Sequence, residues 1–218
     1  MTRIAIIGGH GKVALQLSTI LSAQGQGVTS FIRNPDHRDD VAATGATPSL
    51  LDVEISTTAE LAVALQNHDA VVWSAGAGGG NPERTYAVDR DAAIRSMDAA
   101  AAAGVKRYIM VSYFGAGPHH GVPADGFFAY AEAKAAADEY LRGSGLEWTI
   151  LGPGSLTDAP GNGLIDVNPA DTSTGTATSR GNVALVAAAV LGLPETAGHT
   201  IEFRDGSLPV AAALQALN

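Results

Sequence analysis

Apolar residues fall into short unbroken runs separated by stretches of helical spacing. Residues 4–7 read Ile-Ala-Ile-Ile, a continuous run that predicts a strand covered on both faces. Val13, Leu17, Ile20 and Leu21 then recur three or four residues apart, which predicts a helix. The alternation repeats. Apolar runs at 28–32, 47–51, 70–74, 107–111 and 148–151 predict five more strands, and helical patterns occupy 36–44, 57–66, 85–103 and 127–142. The remainder is less regular: a small strand at 164–167, an apolar helix at 182–193 behind Ser179 and Arg180, a strand at 200–203 and a last helix at 208–217. Strands alternating with helices predict an α/β fold with a doubly wound parallel sheet. Neither a linker nor an internal repeat divides the chain. Residues 1–218 are therefore expected to form a single domain, its small C-terminal lobe drawn mainly from 152–218.

Composition narrows the function classes. The 218 residues are 46% hydrophobic and 16% charged, which excludes a disordered chain. The formal net charge of −9 argues against a nucleic-acid partner, because a phosphate backbone calls for a basic face. Cysteine is absent, so disulfides, thiolate-bound metals and a cysteine nucleophile are excluded. The N-terminus lacks a signal-peptide pattern and no apolar run reaches membrane-spanning length; a cytoplasmic chain with no membrane contact is expected.

Candidate chemistry begins in the first turn. Gly8 lets the chain leave the strand sharply, Gly11 removes a side chain where a pyrophosphate would approach, and Ala14 lets the helix pack close to the strand. The helix N-terminus behind them offers N–H groups and a positive dipole to phosphate. Gly8, Gly9, His10, Gly11, Lys12 and Val13 are thus expected to line the phosphates of a dinucleotide. At the end of the second strand an acidic residue would bind the ribose 2′-hydroxyl of NAD, but Arg33 stands there. A guanidinium pairs with phosphate, which favours NADP as the cofactor and leaves NAD as the other candidate. Asp52 and Val53, closing the third strand, are expected against the adenine. Ala75, Gly76 and Ala77 begin a second glycine-rich corner where larger side chains would block a nucleotide lying over the sheet edge.

Ser112 ends the fifth strand and should face the crevice at the carboxyl ends of the strands. Tyr130 and Lys134, in Y-A-E-A-K, lie one helical turn apart on one face. A neighbouring ammonium would lower the phenol's pKa and suit it to proton transfer. Lys134 could also reach a cofactor ribose, and Ser112 could donate a hydrogen bond to a substrate carbonyl.

With these motifs in view, the chain resembles an atypical short-chain dehydrogenase/reductase of the compact NAD(P)-binding, NmrA-like type. The resemblance rests on G-G-H-G-K-V-A at 8–14, R-N-P at 33–35, A-G-A-G at 75–78, A-G-V-K-R-Y-I-M-V-S at 103–112, Y-A-E-A-K at 130–134 and G-L-E-W-T-I-L-G-P-G at 145–154. It implies a Rossmann fold with a C-terminal lobe over the crevice, and it matches Ser112, Tyr130 and Lys134 to the family's Ser-Tyr-Lys set. Gly152 stands where the family usually has the arginine of an R-P-G exit. Two functions follow as expectations. One is an NADP-dependent oxidoreductase passing hydride from NADPH to a small carbonyl, quinone or flavin-like acceptor. The other is a non-catalytic NADP(H)-binding redox sensor with a protein partner. Oligomeric state stays open.

Other residues carry weaker expectations. His119 and His120 are adjacent on a loop with no third ligand evident, so no metal site is expected; they are placed at the crevice mouth. Asp89 is expected near the crevice, and Leu156, Thr157 and Asp158 beside the substrate pocket. Trp73 and Trp148 are assigned to the core.

Overall fold

A computed structural model describes residues 1–78, 81–117, 127–170 and 175–217. The elements run β1 (Arg3–Ile7), α1 (Lys12–Ala23), β2 (Gly27–Ile32), α2 (Arg38–Ala43), β3 (Thr47–Leu50), α3 (Thr58–Leu65), β4 (Ala70–Trp73), α4 (Pro82–Thr85), α5 (Ala93–Ala102) and β5 (Arg107–Val111). They continue as α6 (Phe128–Arg142), β6 (Glu147–Pro153), β7 (Leu156–Thr157), β8 (Leu164–Val167), β9 (Thr178–Ser179), α7 (Arg180–Leu191), β10 (His199–Asp205), β11 (Leu208–Pro209) and α8 (Val210–Gln215). Seven strands pair in parallel in the order β3-β2-β1-β4-β5-β6-β10, so the sheet reverses its winding beside β1. Ligand crevices form at such a reversal, outside the carboxyl ends of the strands.

The strict alternation of side chains along β1 explains the two layers. Ile4 and Ile6 face one side, with buried residues of α1, α7 and α8; Ala5 and Ile7 face the other, with those of α3, α5 and α6. A strand that is hydrophobic at every position is the mark of a sheet covered on both faces, and β1 through Ile4–Ile7 is buried throughout. Trp73 belongs to this interior and is fully buried, while Trp148 packs against it from a partly exposed position.

Among the described residues the sheet departs from parallel pairing beyond β10. There β8 runs antiparallel to β10, and β11 antiparallel to β8, as returning loops bring them to the edge. The two extreme strands, β3 and β11, are short and each contains a proline, Pro48 and Pro209. A separate pair, β7 with β9, ties the segment after β6 to the start of α7. Strands of two residues leave no periodicity to read, so β7 and β9 lie outside the sequence expectations, and the helix expected at 208–217 is instead β11 followed by the shorter α8. The predicted helix at 85–103 begins earlier, at Pro82, and passes through a π-helical stretch at Tyr86–Ala92 before α5.

Ser179 shows how one hydroxyl can fix the C-terminal lobe. Its Oγ accepts from the amide of Asn182 at the start of α7, at 3.2 Å. The same hydroxyl donates to Oδ1 of Asp205 at 3.2 Å, tying the helix start to the end of β10. Because Ser179 is fully buried, no solvent replaces these bonds. Ser179→Ala is expected to cost about 1–2 kcal/mol, read as a lower urea midpoint with an unchanged slope.

Candidate functional site

A cleft of about 330 Å3 opens at the carboxyl ends of β1, β2 and β4. Its floor is the first turn: Gly8, Gly9, His10 and Gly11 line it, with α1 starting immediately behind. The turn is held from both sides. The Gly9 amide donates to the Phe31 carbonyl at 2.8 Å, and Gly11 donates back to Gly8 at 2.9 Å. The N-terminus of α1 carries neither a side-chain cap nor an acidic residue in its first turn. A helix that leaves its first N–H groups uncapped beside a glycine-lined cleft has the donor set and the space that a pyrophosphate requires.

The other walls come from three loops. Arg33, Asp52, Val53, Ala75 and Gly76 all line the cleft. Lys12, Val13, Ala77 and Lys134 do not. Lys12 instead donates to Oδ2 of Asp158 at 2.7 Å, and Arg180 reaches the other oxygen of that carboxylate at 2.8 Å. The two cations hold Asp158 below the usual carboxylate range. Asp158 therefore links the starts of α1 and α7.

His10 stacks on His37 with ring centroids 3.5 Å apart, and its Nε2 lies 2.8 Å from Oδ2 of Asp40. Arg33 pairs with Glu54 at 3.3 Å. Glu54 also accepts from Arg84 Nε at 3.1 Å, and both residues line the cleft. The loop carrying Glu54 is held by Arg95, whose Nη2 donates to the carbonyls of Val53 and Glu54 at 3.0 and 3.1 Å, while its Nε donates to that of Ser56 at 3.2 Å.

The Ser-Tyr-Lys constellation has a different geometry from the one expected. Ser112 directly follows β5 and is 5% exposed; its Oγ donates to Oδ2 of Asp138 at 2.5 Å. Lys134, on α6, is 1% exposed and donates to the Val111 carbonyl at 2.8 Å and to the Met110 sulfur at 3.3 Å. Among the described residues no hydrogen bond joins Tyr130 to Ser112 or to Lys134. Tyr130 packs against Tyr113, with ring centroids 5.6 Å apart, and against Phe127 at 5.3 Å.

Electrostatics follows this geometry. The expected lowering of the Tyr130 pKa is reversed. Burial is the largest cause of an upward shift, and the carboxylates of Asp89 and Asp138 add to it. Lys134 faces those carboxylates instead. Burial pushes its pKa down, and Asp138 and Asp89 resist that. Burial likewise raises Asp138, against the pull of Lys134 and the Ser112 hydrogen bond. Asp89 is raised by burial and opposed by the Ala77 amide, which donates to its Oδ2 at 2.9 Å. Asp89, Asp138, Lys134 and Ser112 thus form a buried polar cluster; neither they nor Tyr130 line the cleft, which meets the cluster where Gly76 lies over Oδ1 of Asp89. His119 and His120 lie outside the described residues.

Four members of this arrangement escape a reading of the sequence. Glu54, Arg84 and Arg95 sit on different elements and meet only through the fold. Asp138 is one turn past Lys134 in A-K-A-A-A-D, a spacing that signals a pair on one helix face but not its burial. For Arg84 a local cue existed, since Asn81-Pro82 reads as a helix start directly after the second glycine-rich corner.

Comparison with known proteins agrees with this geometry. Residues 8–194 match a family model described as NAD(P)H-binding. An uncharacterized sugar epimerase, YhfK of Bacillus subtilis, is 32% identical over 99% of this chain and 100% of its own length. Among solved structures, a putative NAD-dependent epimerase/dehydratase from Bacillus halodurans superposes with a TM-score of 0.91 at 30% identity, covering 99% of this chain and 100% of that one. The oxidoreductase ylbE from Lactococcus lactis gives a TM-score of 0.88 at 28% identity, covering 99% and 96%.

Proposed function

The chain belongs to the NAD(P)H-binding family, of the atypical short-chain dehydrogenase/reductase kind, and on that premise we propose that it is an NADP-dependent oxidoreductase acting on a small carbonyl, quinone or flavin-like acceptor. The observation that carries the reading is the uncapped start of α1 behind the Gly8–Gly11 turn, opening into a cleft that Arg33 lines. A nicotinamide held in this cleft would supply the hydride. Everything else falls to the chain's own groups.

In this reading the backbone amides of the first turn hold the pyrophosphate, Asp52 and Val53 flank the adenine, and Ala75 and Gly76 give the dinucleotide room over the sheet edge. Tyr130 works as a neutral acid. Burial keeps the phenol protonated near neutral pH, so it holds the proton that an acceptor oxygen would take, as a weaker donor than an unperturbed tyrosine. Ser112 has its hydrogen on Asp138, so while that bond is kept it has none to donate to a substrate carbonyl. Lys134 is the counter-ion that lets Asp89 and Asp138 stay buried, and through the Val111 carbonyl it fixes the strand end from which Ser112 projects.

Tyr130→Phe is expected to leave NADPH affinity within about twofold while lowering turnover by a factor on the order of 10²–10⁴. The assay is a panel of carbonyls and quinones, extended to sugar alcohols because one relative is named a sugar epimerase. Wild-type turnover in the Phe variant would remove Tyr130 as proton donor.

The commitment of Ser112 to Asp138 favours a second reading, a cofactor-sensing protein without turnover. A partner whose affinity changes between NADP and NADPH, with no acceptor reduced across the panel, would select it.

A further inference from the structure

Three charged side chains share one end of the cleft, and the glycine turn does not account for them. A single oxygen of Glu54, Oε2, accepts from Arg33 Nη1 at 3.3 Å and from Arg84 Nε at 3.1 Å. The carboxylate is held in place through its backbone: the Glu54 amide donates to Oδ1 of Asp52 at 3.1 Å, and Arg95 grips the carbonyls on either side of the turn. Arg84 is placed as firmly, its Nη1 donating to the Ala77 carbonyl at 2.5 Å. Two guanidiniums thus converge on one carboxylate at the end of β2, where the ribose of a dinucleotide lies.

We propose that this corner is an exchange site: the ribose 2′-phosphate of NADP displaces the Glu54 carboxylate from Arg33 and Arg84, and Glu54 accepts from the ribose hydroxyls when NAD binds. The proposal rests on the dinucleotide reading above. Its physical basis is charge and shape. The guanidiniums carry two positive charges against one negative, and a phosphate monoester brings about 1.5–2 negative charges and three acceptor oxygens to satisfy both. Glu54 gains only what a single shared oxygen gives, so the phosphate offers the arginines the better set of partners. Because its loop is pinned by Arg95, Glu54 cannot retreat far, and its charge continues to oppose the phosphate after exchange. Arg84 is then the second arm of the phosphate site, and Glu54 sets how strongly the protein discriminates between the two cofactors.

The test uses calorimetric titration with adenosine 2′,5′-bisphosphate and 5′-AMP, which isolate the corner from the nicotinamide, and repeats it with NADPH and NADH. Glu54→Gln is expected to raise bisphosphate affinity about tenfold while leaving 5′-AMP unchanged or a few-fold weaker. Arg84→Ala is expected to lower bisphosphate affinity about tenfold, with Arg84→Lys intermediate because it keeps the charge and loses the planar fork. Arg84→Ala also frees the Ala77 carbonyl, but that acts on both nucleotides, and the bisphosphate-to-monophosphate ratio removes it. An unchanged ratio in Glu54→Gln and Arg84→Ala, with wild type binding both nucleotides, overturns the exchange site and leaves the dinucleotide reading standing. A wild-type protein that binds neither nucleotide and neither dinucleotide overturns that reading itself.

Discussion

Gly8→Ala should abolish dinucleotide binding and destabilise the protein by about 2–4 kcal/mol. Gly8 has φ +84°, a region that costs an L-residue on the order of 1 kcal/mol. The larger part comes from space. A Cβ at Gly8 would lie 2.6 Å from the Cα and N of Ala75 and 2.8 Å from the carbonyl carbon of Ser74. Those are backbone atoms, so no rotamer relieves the contact; the first turn or the β4 exit must move. Both walls belong to the cleft, which means that folding and cofactor binding fail together. Gly25→Ala is the matched control. Its φ is +74° and a Cβ there meets nothing within 4 Å. It should lose only about 1 kcal/mol and bind NADPH as wild type does. Denaturant midpoints and NADPH titrations on the pair decide the matter, and wild-type affinity in Gly8→Ala would refute the close-packed turn.

Lys134→Met carries the second large effect, and the protein without cofactor reveals it. A lysine whose work is to touch a bound ribose stands in solvent when the cofactor is absent, and its loss leaves that form's stability unchanged. Lys134 is buried, and within its field lie Asp138, fully buried, and Asp89, 2% exposed. Removing the ammonium strands both carboxylates in a low dielectric and leaves the Val111 carbonyl without its donor. Breaking a buried charge cluster in this way typically costs about 3–5 kcal/mol. Lys134→Met with Asp138→Asn should recover part of the loss, because the amide can still accept from Ser112 without carrying charge. An undiminished Tm in Lys134→Met without cofactor would return Lys134 to the role of a plain cofactor ligand.

These two residues mark how far the sequence can be read. Gly8 was legible because its job is local: an apolar run, a glycine turn and a helix are contiguous, and each implies the next. That the strands run parallel in a doubly wound sheet followed from the same alternation, whereas their order is set by the fold. Lys134 was legible as a candidate but not in its environment. Helical spacing puts it one turn from both Tyr130 and Asp138, and the spacing alone does not say which neighbour it serves. The Glu54, Arg84 and Arg95 cluster was illegible for another reason. Its members lie 30 and 41 residues apart in the chain along the hydrogen bonds that join them, so only the folded sheet brings them together. The π-helical stretch at Tyr86–Ala92, which carries Asp89 to the Ala77 amide, likewise leaves no mark in hydrophobic periodicity. The reversal of direction at β8 is set by returning loops, which carry little pattern.

The outermost strands have a consequence for how copies of the protein meet. An open sheet offers unpaired backbone groups at both ends, and a flat apolar edge would template another chain into a continuous ribbon. Here one end is closed by four residues that include Pro48 and the other by two that include Pro209. Neither end presents a long regular ladder to an incoming strand. Edge-to-edge polymerisation is thereby discouraged at both ends at once, and crowding should drive the molecules together through their helical faces before it drives them into fibrils.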